Sequence, residues 1–137
     1  MKNAIVTGAS NGIGLEISKK LSENNYYVGM IDVDKKNLHK ESENISNSVA
    51  IEGDVTNEDS IKNALDTFSK TPDLIVNNAG IVIFGGLEEQ SIEDFKKSVD
   101  VSLIGSYLVS RLAIDSMIKK GSGCIINMFR LNWANTM

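Results

Sequence analysis

The chain has 137 residues, 42% hydrophobic and 23% charged, with eleven Gly, one Pro and one Cys. That length suits one compact domain, and the near-average composition excludes disorder, collagen-like repeats and low complexity. The formal charge of −4 gives no basic face for nucleic acid, and a lone Cys124 excludes both an internal disulfide and a multi-Cys metal site. The lysine doublets (19-20, 35-36, 96-97, 119-120) fall on helical patterns and read as solvated faces. No apolar run approaches the ~20 residues of a bilayer span, so no membrane partner is expected. Met1 leads at once into a strand-like run, leaving no room for a signal peptide, and a cytoplasmic location is expected.

Short apolar runs alternate with longer amphipathic ones. Ala4-Ile5-Val6 is the first strand, followed by a Gly-rich turn and a helical pattern at Ile13, Ile17 and Leu21. Tyr27 to Ile31 forms the second strand and residues 34 to 44 the second helix. Val49-Ala50-Ile51 is the third strand, and residues 57 to 70 form a helix with Ile61, Ala64, Leu65 and Phe68 on one face. Leu74-Ile75-Val76 is the fourth strand. Residues 92 to 119, with Phe95, Val99 and Leu103 at helical spacing, make a long fourth helix, and Cys124 to Met128 the fifth strand. Short apolar strands alternating with helices predict a parallel sheet covered on both faces, a doubly wound α/β layer. The pattern occupies residues 1–128, and residues 129–137 read as an irregular tail. His39 reads as a surface residue and Cys124 as a small buried apolar one.

The first strand runs into Thr7-Gly8-Ala9-Ser10-Asn11-Gly12-Ile13-Gly14, where a helix opens. Glycines in such a turn let backbone pass close to a pyrophosphate, and the helix N-terminus offers free N–H groups and partial positive charge. Asp32 ends the second strand eighteen residues after Gly14, where a carboxylate accepts ribose hydroxyls and repels a 2′-phosphate. Together these point to a dinucleotide.

Here the sequence resembles the short-chain dehydrogenase/reductase family. The spacing Thr-Gly-x-x-x-Gly-x-Gly is that family's variant of the fingerprint, and Gly53-Asp54-Val55 and Asn77-Asn78-Ala79-Gly80 are further matches. The resemblance implies a Rossmann-type sheet of about five strands in the order 3-2-1-4-5. It implies a cofactor site made of Thr7, Gly8, Ser10, Asn11, Gly12, Ile13, Gly14, Asp32, Asp54, Val55, Asn78, Ala79 and Gly80. Asp54 and Val55 would lie against the adenine, and Asn78 to Gly80 beside the ribose. NADP binders of the family place Arg or Lys in the glycine turn or just after the second strand. Asn11 and Val33 stand there, with Asp32 and Asp34 nearby, so NAD is expected over NADP.

The family transfers a hydride between nicotinamide and the carbon of a small alcohol or ketone. A Tyr serves as general acid/base, and a Lys four residues later lowers its pKa from the usual value near 10. A Ser polarises the substrate oxygen and an Asn on the long helix holds a water. This sequence departs from that pattern. Tyr26, Tyr27 and Tyr107 are followed four residues on by Met30, Ile31 and Arg111. Asp100-Val101-Ser102-Leu103-Ile104-Gly105 matches the helix motif with Ser102 in the Asn position. Gly123 to Met128 matches the strand before the catalytic Ser, but Arg130 stands in the Ser position.

The first expectation is therefore a family member cut short by a frameshift or early stop, retaining the NAD half and inactive by itself. Its rivals are a non-catalytic NAD-binding module and a decayed gene product. The family forms homo-oligomers, but the helices that pair its subunits are not found in these residues.

Overall fold

The computed structural model describes residues 1–129. Five strands, β1 (Lys2–Thr7), β2 (Tyr26–Asp32), β3 (Ser48–Glu52), β4 (Leu74–Asn77) and β5 (Cys124–Asn127), form one parallel sheet in the order β3-β2-β1-β4-β5. Lys2 pairs with Tyr26, Ala4 with Leu74, Val28 with Ser48, and Leu74 with Cys124. Because every pair is parallel, Thr7, Asp32, Glu52, Asn77 and Asn127 gather along one carboxyl edge. The chain turns outward from β1 in both directions, to β2 on one side and β4 on the other. A crevice at the edge follows from that reversal.

Successive strand side chains point to opposite faces, and this sorts the apolar residues into two cores. Ile5, Ile31, Ile51 and Ile75 lie on one face. They pack against Ile61, Ala64 and Phe68 of α3 (Glu58–Phe68) and Val109, Ala113 and Met117 of α5 (Gly105–Lys120). Val6, Val28, Met30 and Val76 lie on the other, with Leu38 of α2 (Lys35–Ser42) and the partly buried Leu15, Ile17 and Leu21 of α1 (Gly12–Glu23). The strand and helix positions thus follow the sequence periodicity, with ends displaced by one or two residues.

Three expectations are corrected. The long helix is not one regular α-helix. It comprises α4 (Ile92–Val99), a π-helical turn over Asp100–Ile104, and α5. A wide turn shifts the apolar face by part of a revolution, which a search at period 3.6 does not register. α4 buries no residue, and Phe95 and Leu103 are 61% and 65% exposed. Second, the continuous helix Ile92–Lys120 is long and apolar enough, by length and composition, to cross a membrane. Arg111 and Asp115 interrupt its apolar run in the sequence. Val109, Ala113 and Met117, spaced four apart on the sheet-facing side, account for part of its apolar character. Third, Cys124 is exposed, because β5 has a strand on only one side among the described residues. His39 is exposed, as expected. Phe129 is exposed, and Arg130 with the other residues of the tail, 131–137, lies outside the described residues.

Candidate functional site

The turn after β1 is built around close backbone contact. Ala9 N–H donates to Ile31 O at 3.2 Å, holding the turn against β2. A Cβ on Gly14 would sit 2.1 Å from Gly8 O and 2.5 Å from Asn78 Nδ2, so only glycine lets α1 begin in contact with the turn. Gly12 is the opposite case. Its φ is +54°, which favours glycine, yet an added Cβ would meet nothing within 4 Å. The backbone there borders open space. Asn11 precedes α1 in extended conformation and provides no side-chain cap. The N–H groups of Gly12, Ile13 and Gly14 have no earlier helical carbonyl to donate to, and the helix dipole adds partial positive charge. Ser10 Oγ is fully buried and has no hydrogen-bond partner among the described residues. Open glycine backbone, free helical N–H groups and an orphaned hydroxyl fit the pyrophosphate and sugar of a dinucleotide.

At the end of β2, each oxygen of the Asp32 carboxylate already accepts one backbone N–H. Oδ2 takes Ser10 N and Oδ1 takes Asp34 N, both at 3.0 Å. A carboxylate has about four acceptor positions, so two remain for hydroxyls. The carboxylate is thereby fixed relative to the glycine turn. Lys35, the first residue of α2, lies 3.5 Å from Glu52 Oε2.

The β4 turn clasps the β1 turn directly. Asn78 Nδ2 donates to Thr7 O and Gly8 O, each at 3.1 Å. Thr7 Oγ1 accepts the N–H groups of Asn78 and Ala79 at 3.1 and 3.0 Å. Beyond it, a Cβ on Gly80 would sit 3.4 Å from Ser102 Oγ, so Ser102 in the π-helical turn belongs to the same edge. The β3 turn is joined through Gly53 N–H to Asp32 O at 3.0 Å. Asp54 Oδ1 accepts Thr56 N and Thr56 Oγ1 at 2.9 and 2.7 Å, and Asp54 N–H donates to Ser60 Oγ. Val55 is buried, and a Cβ on Gly105 would lie 2.6 Å from its Cγ2. The expected residues of the β1, β2 and β4 turns and Ser102 are therefore brought together. Asp54 follows Gly53, whose N–H ties the β3 turn to Asp32, and Val55 packs beside Gly105 next to the π-helical turn; Arg130 lies outside the described residues.

Two asparagine links go beyond the sequence reading, which named Asn77 only as part of the Asn77-Asn78-Ala79-Gly80 match and did not single out Asn37. Asn77, 1% exposed, donates from Nδ2 to Ser110 Oγ at 2.9 Å and Asn127 Oδ1 at 2.8 Å, tying β4, α5 and β5 beneath the edge. Asn37 of α2 donates from Nδ2 to Ser10 O. Neither spacing signals such a link, because the partners lie 27 to 50 residues away.

A parallel doubly wound sheet with this glycine turn at its reversal point defines a Rossmann-type α/β fold. The family described as short chain dehydrogenase matches residues 2–131, and the chain belongs to it. An uncharacterized oxidoreductase of Thermotoga maritima is 36% identical over 133 residues, covering 93% of this chain and 53% of that protein. An NAD-dependent glycerol dehydrogenase of Listeria innocua is 31% identical over 132 residues, covering 93% and 52%. Among solved structures, a 3-oxoacyl-[acyl-carrier protein] reductase of Brucella melitensis with bound NAD superposes with a TM-score of 0.83. It is 27% identical and covers 90% of this chain and 51% of that one. The chain spans about half the length of the curated relatives it matches.

Proposed function

We propose that this chain carries the NAD-binding half of an oxidoreductase that moves a hydride between NAD and the carbon of a small alcohol or ketone. The start of α1 is the chief support: an uncapped N-terminus beside glycine backbone that borders open space. A pyrophosphate would take the N–H groups of Gly12 to Gly14. Asp32 would accept ribose hydroxyls and repel a 2′-phosphate, which favours NAD over NADP. Asp54 and Val55 would flank the adenine, and Asn78, Ala79 and Gly80 would pass beside the ribose. The NAD-dependent relative and the NAD-bound neighbour support the same cofactor. Bound NAD would supply the hydride-accepting carbon, and the protein would orient it and exclude water.

These 137 residues contain no Tyr-x-x-x-Lys, and Ser102 and Arg130 take the family's Asn and Ser positions. A serine hydroxyl is a weak acid and Arg stays protonated at any working pH, so neither replaces the ~10²–10⁴-fold help of a general acid/base. A polypeptide of this sequence alone is therefore proposed to bind NAD without turning it over. Calorimetry with NAD and NADP tests the first half: NAD should bind more tightly, and Asp32→Ala should narrow the gap. Equal affinities for the unmutated chain would refute the preference. Substrate-dependent NADH formation by this polypeptide, surviving a mock-purification control, would refute the second half.

A further inference from the structure

We propose that Asn37 is a positioning residue for cofactor discrimination, acting through Ser10 on Asp32; this rests on the proposed NAD site. Asp34 caps α2 by accepting Asn37 N–H at 3.1 Å, so the backbone of Asn37 is spent locally. Its side chain sits in the third position of the helix, where a polar group ordinarily turns back toward its own cap. Here it reaches out of the helix to Ser10 O, 27 residues earlier. Ser10 is thereby held at both ends of its backbone: its N–H by Asp32 Oδ2, its carbonyl by the Asn37 amide. Asp32 Oδ1 in turn accepts Asp34 N–H, which closes a circuit from β2 through the helix cap and the glycine turn back to Asp32.

The circuit matters because Asp32 must meet a ribose hydroxyl with groups held within about 0.5 Å of the right geometry. Without the Asn37 donor, the Ser10 carbonyl loses its anchor in a partly buried place, and the Ser10 N–H that orients Asp32 shifts with it. A carboxylate free to swing no longer distinguishes a hydroxyl from a phosphate as sharply. Asn37 needs no contact with the nucleotide to do this.

Asn37→Ala is the direct test, since Ala favours helix and leaves the Asp34 cap bond to the backbone intact. Titrated by calorimetry, the variant should bind NAD roughly tenfold more weakly, the scale of one lost hydrogen bond to a functional turn. NADP affinity should fall less, so the NAD to NADP ratio narrows. In an Asp32→Ala background the same substitution should leave the ratio unchanged, because the group it positions is gone. Asn37→Gln, which keeps the amide, should recover part of the loss. Thermal melts monitored by circular dichroism confirm that each variant is folded. Folded Asn37→Ala with an unchanged ratio, or an equal effect with and without Asp32, overturns the role of Asn37 while leaving the NAD site standing. An unmutated chain that binds neither dinucleotide overturns the site and this role together.

Discussion

The β1–β3 side of the sheet and the α4–β5 side both carry apolar residues at regular spacing, yet they use them differently. On the first, Ile5, Val6, Val28, Met30 and Ile31 are completely buried between helices on both faces. On the second, Ile92, Phe95, Leu103 and Tyr107 are all more than 60% exposed, and β5 contains no fully buried residue. Periodicity reports which face of an element is apolar; it does not report what lies against that face. The side with the glycine turn is also the side where the apolar centres of β1 and β2 are fully buried. There, close packing and the proposed approach of a dinucleotide make one and the same demand on the backbone.

Paired core truncations give the sharpest contrast. Ile5→Ala removes a fully buried side chain from the centre of the sheet and should cost about 3–4 kcal/mol in urea denaturation. Phe95→Ala removes a larger side chain but should cost under ~1 kcal/mol, because that ring is mostly exposed. Similar costs for the two would mean that α4 is covered in solution and would erase the contrast.

Gly14→Ala should come next, at ~2–3 kcal/mol, since its Cβ would drive into Gly8 O. NAD binding should vanish as well. Gly12→Ala, where nothing obstructs the new methyl, should instead cost ~1 kcal/mol through backbone strain alone. Thermal melts of the two variants separate contact from strain, and equal losses would overturn the distinction.

A smaller effect lies at the opposite edge of the sheet. The Lys120 ammonium beside Asp73, reinforced by Asn3 N–H at 2.7 Å, holds the Asp73 carboxyl below the usual carboxylate range. A depressed folded-state pKa stabilises the fold above the unfolded value near 4, and that gain disappears as pH falls through the lower folded value. The urea midpoint of the unmutated chain should therefore drop more steeply below about pH 4 than that of Asp73→Asn. Parallel pH profiles would remove Asp73 from the list of stabilising groups. The smallest change concerns Cys124, which should react with a thiol reagent in the native state without denaturant, since it is exposed. Protection of that thiol would show that β5 is covered.

Most of the fold could be read locally. Three- to five-residue apolar strands, amphipathic helices and the glycine turn are set by side-chain period and by backbone freedom, which are properties of neighbours in sequence. The fingerprint from Thr7 to Gly14 and the carboxylate of Asp32 were visible for the same reason. Tertiary structure alone decided the π-helical turn at Asp100–Ile104, which brings Ser102 to the edge beside Gly80. It alone set the exposure of α4 and Cys124, because burial depends on which elements pack against them. It alone joined Asn37 to Ser10 and Asn77 to Asn127, since a hydrogen bond across 27 or 50 residues leaves no periodic trace in the sequence.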